Sequence, residues 1–367
     1  MEFTVERKKF SEHLDTVSSV VPAKPTIVSL SCVLLEAKDT ELTLTTTDLE
    51  TTIKTSLQLT PTKKGTTLLP AKKILSLIKQ LTDDEIKFSS SENQVSLQTS
   101  SSVYHFFPMN SEDFPKLPKF SGGVSLTLDA ALLKEAIIKT KFCIYPEEPR
   151  PHFRGALLDV KEDKWNLVAT DTRRLALYQK DLQGKLSQPV KCLLPHRVLN
   201  YLSSLLETGE VEISVGKNQI FLKINNTYVI SQLLEGNEDF PDYWKVIPEE
   251  SKQRLAKLNK EEFESVMKRI TLFTSERYNK VKFVFSRGKL SLSVSNPEVG
   301  EAQEKISIDY TGEDQPIAFN PDYIIQFLQS VSSEKILMGF STDKKPVLMR
   351  AEDSQEYLYV AMPLKLD

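Results

Sequence analysis

Asn110-Ser111-Glu112-Asp113-Phe114-Pro115 returns 126 residues later as Gly236-Asn237-Glu238-Asp239-Phe240-Pro241, and this echo decides how the chain divides. Two further markers repeat around it. Leu68-Leu69-Pro70-Ala71-Lys72-Lys73-Ile74-Leu75 aligns with Leu193-Leu194-Pro195-His196-Arg197-Val198-Leu199-Asn200, and then with Ala318-Phe319-Asn320-Pro321-Asp322-Tyr323-Ile324-Ile325, in two steps of 125 residues. Thr47-Asp48-Leu49-Glu50 aligns with Thr170-Asp171-Thr172-Arg173 and, less closely, with Ser295-Asn296-Pro297-Glu298, in steps of 123 and 125. Three markers in one order at nearly one spacing imply three related domains, at 1–121, 122–250 and 251–367.

Each unit reads alike. An opening strand leads to an amphipathic helix, with Phe10, Leu14, Val17 and Val21 at helical spacing in the first unit. Leu132, Leu133, Ala136 and Ile137 play that part in the second, and Phe263, Val266, Met267 and Ile270 in the third. Alternating strands follow, as in Glu41-Leu42-Thr43-Leu44-Thr45 and Lys289-Leu290-Ser291-Leu292-Ser293-Val294. A second helix starts near Pro70, Pro195 or Pro321, since the first helical turn has no partner for the N–H that proline lacks. More strands, over 210–215 and 219–224 for example, close the unit. The expected class is α+β: three similar domains, each of two helices packed on mostly antiparallel sheet.

Composition narrows the function. With 40% hydrophobic and 26% charged residues, 367 residues make ordinary globular protein. Charges occupy the N-terminus where a signal peptide needs an apolar stretch, and no apolar run approaches the roughly 18 residues of a membrane helix, so a cytoplasmic protein is expected. Cys32, Cys143 and Cys192 are far apart and read as reduced core thiols. The net charge is -3, yet the six helical stretches together carry +5 and everything else carries -8. Lys72, Lys73, Lys79, Lys134, Lys139 and Arg197 therefore mark a modestly positive surface on a negative protein. Taken singly, each reads as a solvated helix face. Repeated around a curve, they suit the phosphates of a polyanion, without any motif that reads bases.

Catalytic machinery is not evident. His13, His105, His152 and His196 match no metal spacing, and no glycine-rich phosphate loop occurs among twelve glycines. The acidic pairs Asp83-Asp84, Glu147-Glu148 and Glu249-Glu250 read as solvated loops. A non-enzyme without cofactor or metal is expected. Two other readings stay open on the residues alone: a β-rich hydrolase with a carboxylate pair in a domain cleft, and a monomeric adaptor that binds peptides.

Ala169-Thr170-Asp171-Thr172-Arg173-Arg174-Leu175-Ala176, then Phe240-Pro241-Asp242-Tyr243-Trp244-Lys245-Val246-Ile247-Pro248, then Val360-Ala361-Met362-Pro363-Leu364-Lys365-Leu366 resemble the bacterial DNA polymerase III β subunit family, the replicative sliding clamps. Phe3-Thr4-Val5-Glu6-Arg7 and the stretch 44–50 fit too, so the resemblance spans the chain. It implies a non-catalytic processivity factor: a head-to-tail homodimer ring of six domains around double-stranded DNA, with helices lining the hole. The implied partners are the polymerase catalytic subunit, the clamp loader, and other clamp-binding repair and replication proteins.

The resemblance also implies sites. A peptide pocket would be walled by Phe153, Thr170, Thr172, Arg174 and Leu175, with Pro241, Val246, Met362, Pro363 and Leu364 opposite. Read from the residues alone, Thr170 to Arg174 is a polar turn in which Asp171 bonds nearby backbone. Pro363 cannot donate to a ladder, which should end the last strand and leave Leu364 and Leu366 beyond it. DNA would be faced by Lys24, Arg150 and His152 in addition to the helix cations. The ring joint would set Lys73 and Tyr104 against Leu272, Phe273, Glu298, Glu301 and Glu304 of another subunit. The chain departs from the family pattern at Thr172-Arg173, where Gly-His is common, and at Trp244, where Arg is common.

Overall fold

Strand, helix and sheet recur three times in one order in a computed structural model that describes residues 1–117, 122–184, 186–342 and 344–366. The expected domain boundary at 121/122 abuts 118–121, which lie outside the described residues. The helices among the described residues are α1 (Arg7–Ser18), α2 (Ala71–Gln80), α3 (Ala130–Thr140), α4 (His196–Leu205), α5 (Tyr243–Val246), α6 (Lys260–Ile270) and α7 (Pro321–Ser330). The repeat pairs are α1 with α2, α3 with α4, and α6 with α7. The single turn α5 was not anticipated. Phe10, Leu14 and Val17 are fully buried, as are Phe263, Met267 and Ile270; in α3 the buried stripe is Leu133, Ala136 and Ile137, with Leu132 only half-buried.

The helix starts follow local chemistry. Asn259 and Asn320 cap α6 and α7 by accepting from the N–H groups of Glu262 (3.0 Å) and Asp322 (2.9 Å). Pro321 sits in the first turn, but Pro70 and Pro195 end the preceding strands, opposite Cys32 and Gly155, so α2 and α4 begin one residue later than the prolines suggested.

Each repeat builds two antiparallel four-stranded halves. In the first repeat these are Glu2–Glu6, Glu85–Ser90, Val95–Gln98, Val103–Phe106, and then Gly65–Pro70, Cys32–Lys38, Glu41–Thr47, Thr51–Gln58. The second repeat gives Val124–Asp129, Glu210–Val215, Gln219–Ile224, Thr227–Gln232 and Val190–Pro195, Gly155–Lys161, Lys164–Thr170, Arg174–Asp181. The third gives Arg254–Asn259, Lys335–Phe340, Val347–Ala351, Tyr357–Ala361 and Gln315–Phe319, Val281–Ser286, Lys289–Asn296, Gly300–Ser307. Halves of successive repeats fuse: Thr51–Gln58 pairs Thr227–Gln232, and Arg174–Asp181 pairs Tyr357–Ala361, making two eight-stranded sheets.

Because the fused sheets are continuous, the compact units follow the sheets rather than the repeats. One unit holds 1–133, 186–188 and 200–233; the other holds 134–185, 189–199 and 234–367, so the second repeat is shared between them. In the second unit a core of Leu157, Val168, Leu175, Leu177, Phe240, Tyr243 and Val360 lies on one face of the eight-stranded sheet. All three cysteines are free and buried, and burial pushes the Cys192 thiol up to about 12.

Candidate functional site

The Thr-Asp markers fold into the same turn in the first two repeats. Thr47 donates its hydroxyl to the Thr51 carbonyl (3.0 Å) and accepts from the Leu49 N–H (3.1 Å), while Asp48 Oδ1 accepts from the N–H groups of Glu50 and Thr51. Thr170 bonds the Arg174 carbonyl (2.6 Å) and the Thr172 N–H (3.1 Å), and Asp171 Oδ1 accepts from Arg173 and Arg174 (both 3.0 Å). The third residue is left-handed in both, Leu49 at φ 79° and Thr172 at φ 73°, a region costly for non-glycine side chains.

In the second turn the last residue is an arginine with a long reach. The Arg174 side chain is only 9% exposed. Its Nε donates to Asp171 Oδ2 (3.0 Å), one terminal nitrogen to the Phe142 carbonyl (2.6 Å) and the other to Gln326 of α7. The guanidinium also stacks on Tyr323 of α7, 4.4 Å from the ring centre. The turn is thereby fixed to α7.

The C-terminal tail completes a cleft. The final strand ends at Ala361, before Pro363 as expected. The tail then crosses to another strand: the Met362 N–H donates to the Arg173 carbonyl (2.8 Å) and the Leu364 N–H to the Ala318 carbonyl (2.7 Å). With Tyr323 and Asn320 these residues wall a cleft of about 970 Å³, floored by strands of the third repeat.

The ten residues expected in one pocket do not all line this cleft. Met362, Pro363 and Leu364 do, joined by Arg173 and Tyr323, which the sequence reading left out of the pocket. Phe153, Thr170 and Leu175 are buried; the Phe153 ring lies 6.2 Å from Phe240, and Leu175 belongs to the core with Phe240 and Tyr243. Thr172 is exposed on the turn, Arg174 lies behind it, Pro241 is half-buried and Val246 is exposed on α5. The α5 turn is held by Tyr243, whose hydroxyl donates to buried Asp159 (2.9 Å); burial and the Asp159 charge push that phenol well up. Trp244, 49% exposed, borders a second hollow of about 470 Å³ with Leu177, Ile247, Leu348 and Leu358.

The expected cations are placed unequally. Lys24, Lys72, Lys79, Arg150 and Arg197 are exposed and Lys134 is half-buried. Lys79 already pairs with Asp15 (2.5 Å), and Arg150 with Glu148 (2.6 Å) while stacking on Phe153 beside His152. The Lys139 side chain is 18% exposed, paired to Glu135 (2.6 Å) and set over the rings of Tyr178 and Tyr357.

Val103–Phe106 and Gly300–Ser307 are each the outermost strand of a sheet. Tyr104 is half-buried on the first, between exposed Val103 and the 82% exposed Phe107 that the sequence reading missed. Phe106-Phe107 held a signal: neighbours in extended chain point to opposite faces, so both rings cannot enter one core. Lys73 is exposed on α2. Near the second edge Leu272 is 74% exposed and Phe273 half-buried. Glu298 is exposed, Glu301 accepts from Ser295 (2.8 Å), and Glu304 is already held by Arg269 (2.7 and 3.1 Å), whose hydrogen bonds keep its carboxyl below the usual range.

Comparison with known proteins accounts for the threefold repeat. Residues 1–118, 127–242 and 244–365 match the N-terminal, central and C-terminal domains of the DNA polymerase III beta subunit. The beta sliding clamp of Chlamydia pneumoniae is 32% identical over 100% of this chain and 99% of its own. The chain belongs to the DNA polymerase III β subunit family. The crystal structure of the sliding clamp from Pseudomonas aeruginosa superposes with a TM-score of 0.94 at 28% identity, covering both chains completely. A DNA polymerase III subunit beta from Bartonella birtlesii, bound to griselimycin, gives 0.95 at 29%, again over both whole chains.

Thr172 adopts a left-handed φ that a glycine would take without strain, and the side chains of Thr170 and Asp171 hold the turn in it by hydrogen bonds. Arg173 adds a charge at the cleft mouth. Among the described residues no three His, Cys, Asp or Glu side chains are grouped to hold a metal, and no helix is long and apolar enough to cross a membrane.

Proposed function

We propose that the chain is one subunit of a sliding clamp, a non-catalytic ring that encloses duplex DNA without reading its sequence and tethers the replicative polymerase and other DNA-processing proteins. One observation carries this: the pattern of sheet joints. The last strand of the first repeat's second half, Thr51–Gln58, joins Thr227–Gln232, and its equivalent in the second repeat, Arg174–Asp181, joins Tyr357–Ala361. The third equivalent is Gly300–Ser307, whose edge is open, and the strand equivalent to Thr227–Gln232 and Tyr357–Ala361 in the first repeat is Val103–Phe106, also open. Pairing these two between copies repeats a joint the chain already makes twice, and head-to-tail pairing closes on itself.

Phe107 and Leu272 supply the apolar part of that joint, with Tyr104, Phe273, Lys73, Glu298, Glu301 and Glu304 around it. The domains behind this reading are 1–121, 122–250 and 251–367. The DNA face would carry Lys24, Lys72, Lys79, Lys134, Arg150, His152 and Arg197 on weak, mobile phosphate contacts, since tight ones would prevent sliding. Partner peptides would enter at Met362, Pro363 and Leu364.

Light scattering should give two subunits per particle, and Phe107→Asp or Leu272→Asp should each give one. Loaded onto a nicked circle by its loader, the protein should stay bound until the circle is cut and then leave over the free ends. Retention on the linear molecule would sink the ring.

A further inference from the structure

We infer that the cleft beside the C-terminal tail receives an acidic segment of the partner chain, continuous with the apolar peptide held at Met362–Leu364; this rests on the peptide-docking reading above. The two sides of the cleft differ in chemistry. One is apolar, built from Tyr323, Met362, Pro363, Leu364 and Leu366. The floor is the outward face of the third-repeat sheet, where Lys282, Ser293 and Gln303 stand opposite one another in register on adjacent strands. Strand alternation explains this: Val281, Phe283, Phe285, Leu292 and Val294 turn into the core, which leaves the intervening residues facing out.

Charge gives the occupant. Arg173, Arg277, Lys282 and Lys365 all line the cleft, all are exposed, and none has a carboxylate at ion-pairing distance among the described residues. Lys280 joins them and donates to the Lys365 carbonyl (3.3 Å), tying the tail to this wall. Only Glu276 and Glu301 oppose these five cations, and Glu301 is engaged by Ser295. On a chain whose net charge is -3, a cationic cleft running on from an apolar anchor site fits a peptide with an apolar stretch followed by aspartates or glutamates. The cations are exposed, so each pair contributes little alone, and the preference must come from several acting together.

The test is fluorescence anisotropy on the intact protein, with the clamp-docking peptide of the polymerase catalytic subunit carrying either aspartates or lysines in its flanks. The aspartate form should bind about ten-fold more tightly at about 0.1 M salt, and the gap should close near 1 M, where screening shortens to about 3 Å. Lys282→Glu with Lys365→Glu should remove or invert the preference while the unflanked peptide binds as before. Equal affinity of the two flanked peptides for the native protein, or a preference that survives the charge reversal, overturns the proposal. If no form of the peptide binds, the docking site itself is wrong. A labelled single-stranded oligonucleotide that occupies the cleft and is displaced by the aspartate peptide would replace the acidic partner with nucleic acid.

Discussion

The two sheet joints inside the chain begin from the same turn and end in different chemistry. At the first, small hydroxyls bridge the strands: Thr51 to Ser231 (3.2 Å) and Thr55 to Thr227 (3.0 Å), with the His13 ring bonded to Thr55 (2.9 Å). At the second, Arg174, Tyr357 and Tyr359 stand in the corresponding region, the Phe327 ring stacks on both tyrosines, and the Tyr359 hydroxyl reaches the Tyr323 carbonyl (2.9 Å). A threonine at the end of the turn spans only the neighbouring strand. An arginine reaches a helix, so the second joint fixes Tyr323 as a cleft wall and the first fixes nothing of the kind. One backbone thus serves as plain glue in one place and as the frame of a cleft in the other.

The largest effect should come from cutting that reach. Arg174→Ala leaves Asp171 Oδ2 and the Phe142 carbonyl without this donor, and should cost about 3 kcal/mol in urea unfolding. Thr51→Ala at the equivalent place should cost about 1 kcal/mol. Arg174→Lys should recover little, because one ammonium cannot serve Asp171, Phe142 and Gln326 at once. Equal losses at the two turns would mean the joints are energetically alike and the comparison is empty.

Next in size is the tail. Met362→Ala with Leu364→Ala removes apolar surface from the cleft wall and leaves the backbone bonds to Arg173 and Ala318 in place. Partner-peptide affinity should fall about ten-fold, a loss of about 1.4 kcal/mol, while light scattering still reports two subunits. Unchanged affinity would remove the cleft as the docking site.

What the sequence could convey follows the range of the forces involved. Helix stripes such as Phe263, Val266, Met267 and Ile270 depend on local periodicity, and the Asp171 turn on bonds within four residues, so both were legible. The repeat spacing made the threefold architecture legible as well. The fusion of half-sheets was not, because strands 51–58 and 227–232 pair residues 172 to 180 positions apart and nothing in either names its partner. The same limit explains the pocket. Family likeness located Thr170, Leu175 and Phe153, but whether a side chain lines a cleft or fills a core depends on neighbours such as Phe240, which only the fold supplies. The setting of Lys139 was hidden for a related reason: helical position marks it as a cation, while the two tyrosine rings beside it come from strands far along the chain.

A smaller effect should appear at the strained turns themselves. Thr172→Gly and Leu49→Gly each relieve a left-handed side chain, but add freedom to the unfolded chain, so each should raise stability by no more than about 1 kcal/mol. Similar gains at both turns would show that the shared backbone, and not the Arg174 network, sets the strain.

The smallest expected effect separates the joints by pH. Burial holds the His13 ring below its ordinary value of 6.5, against the opposing charge of Glu12, so the folded first joint favours the neutral ring bonded to Thr55. A depressed folded value means this contribution is fully present above 6.5 and is lost as pH falls below it, when the unfolded chain takes up the proton first. Half-buried His196 shifts the same way, so wild-type protein alone cannot assign the loss. His13→Gln keeps a polar partner for Thr55 without a titrating ring. Its thermal midpoint should therefore fall less than the wild type's, by a degree or two at most, between about pH 7.5 and about pH 5.5. Parallel curves would place the pH sensitivity outside the first joint and leave its hydroxyl ladder as the whole of its chemistry.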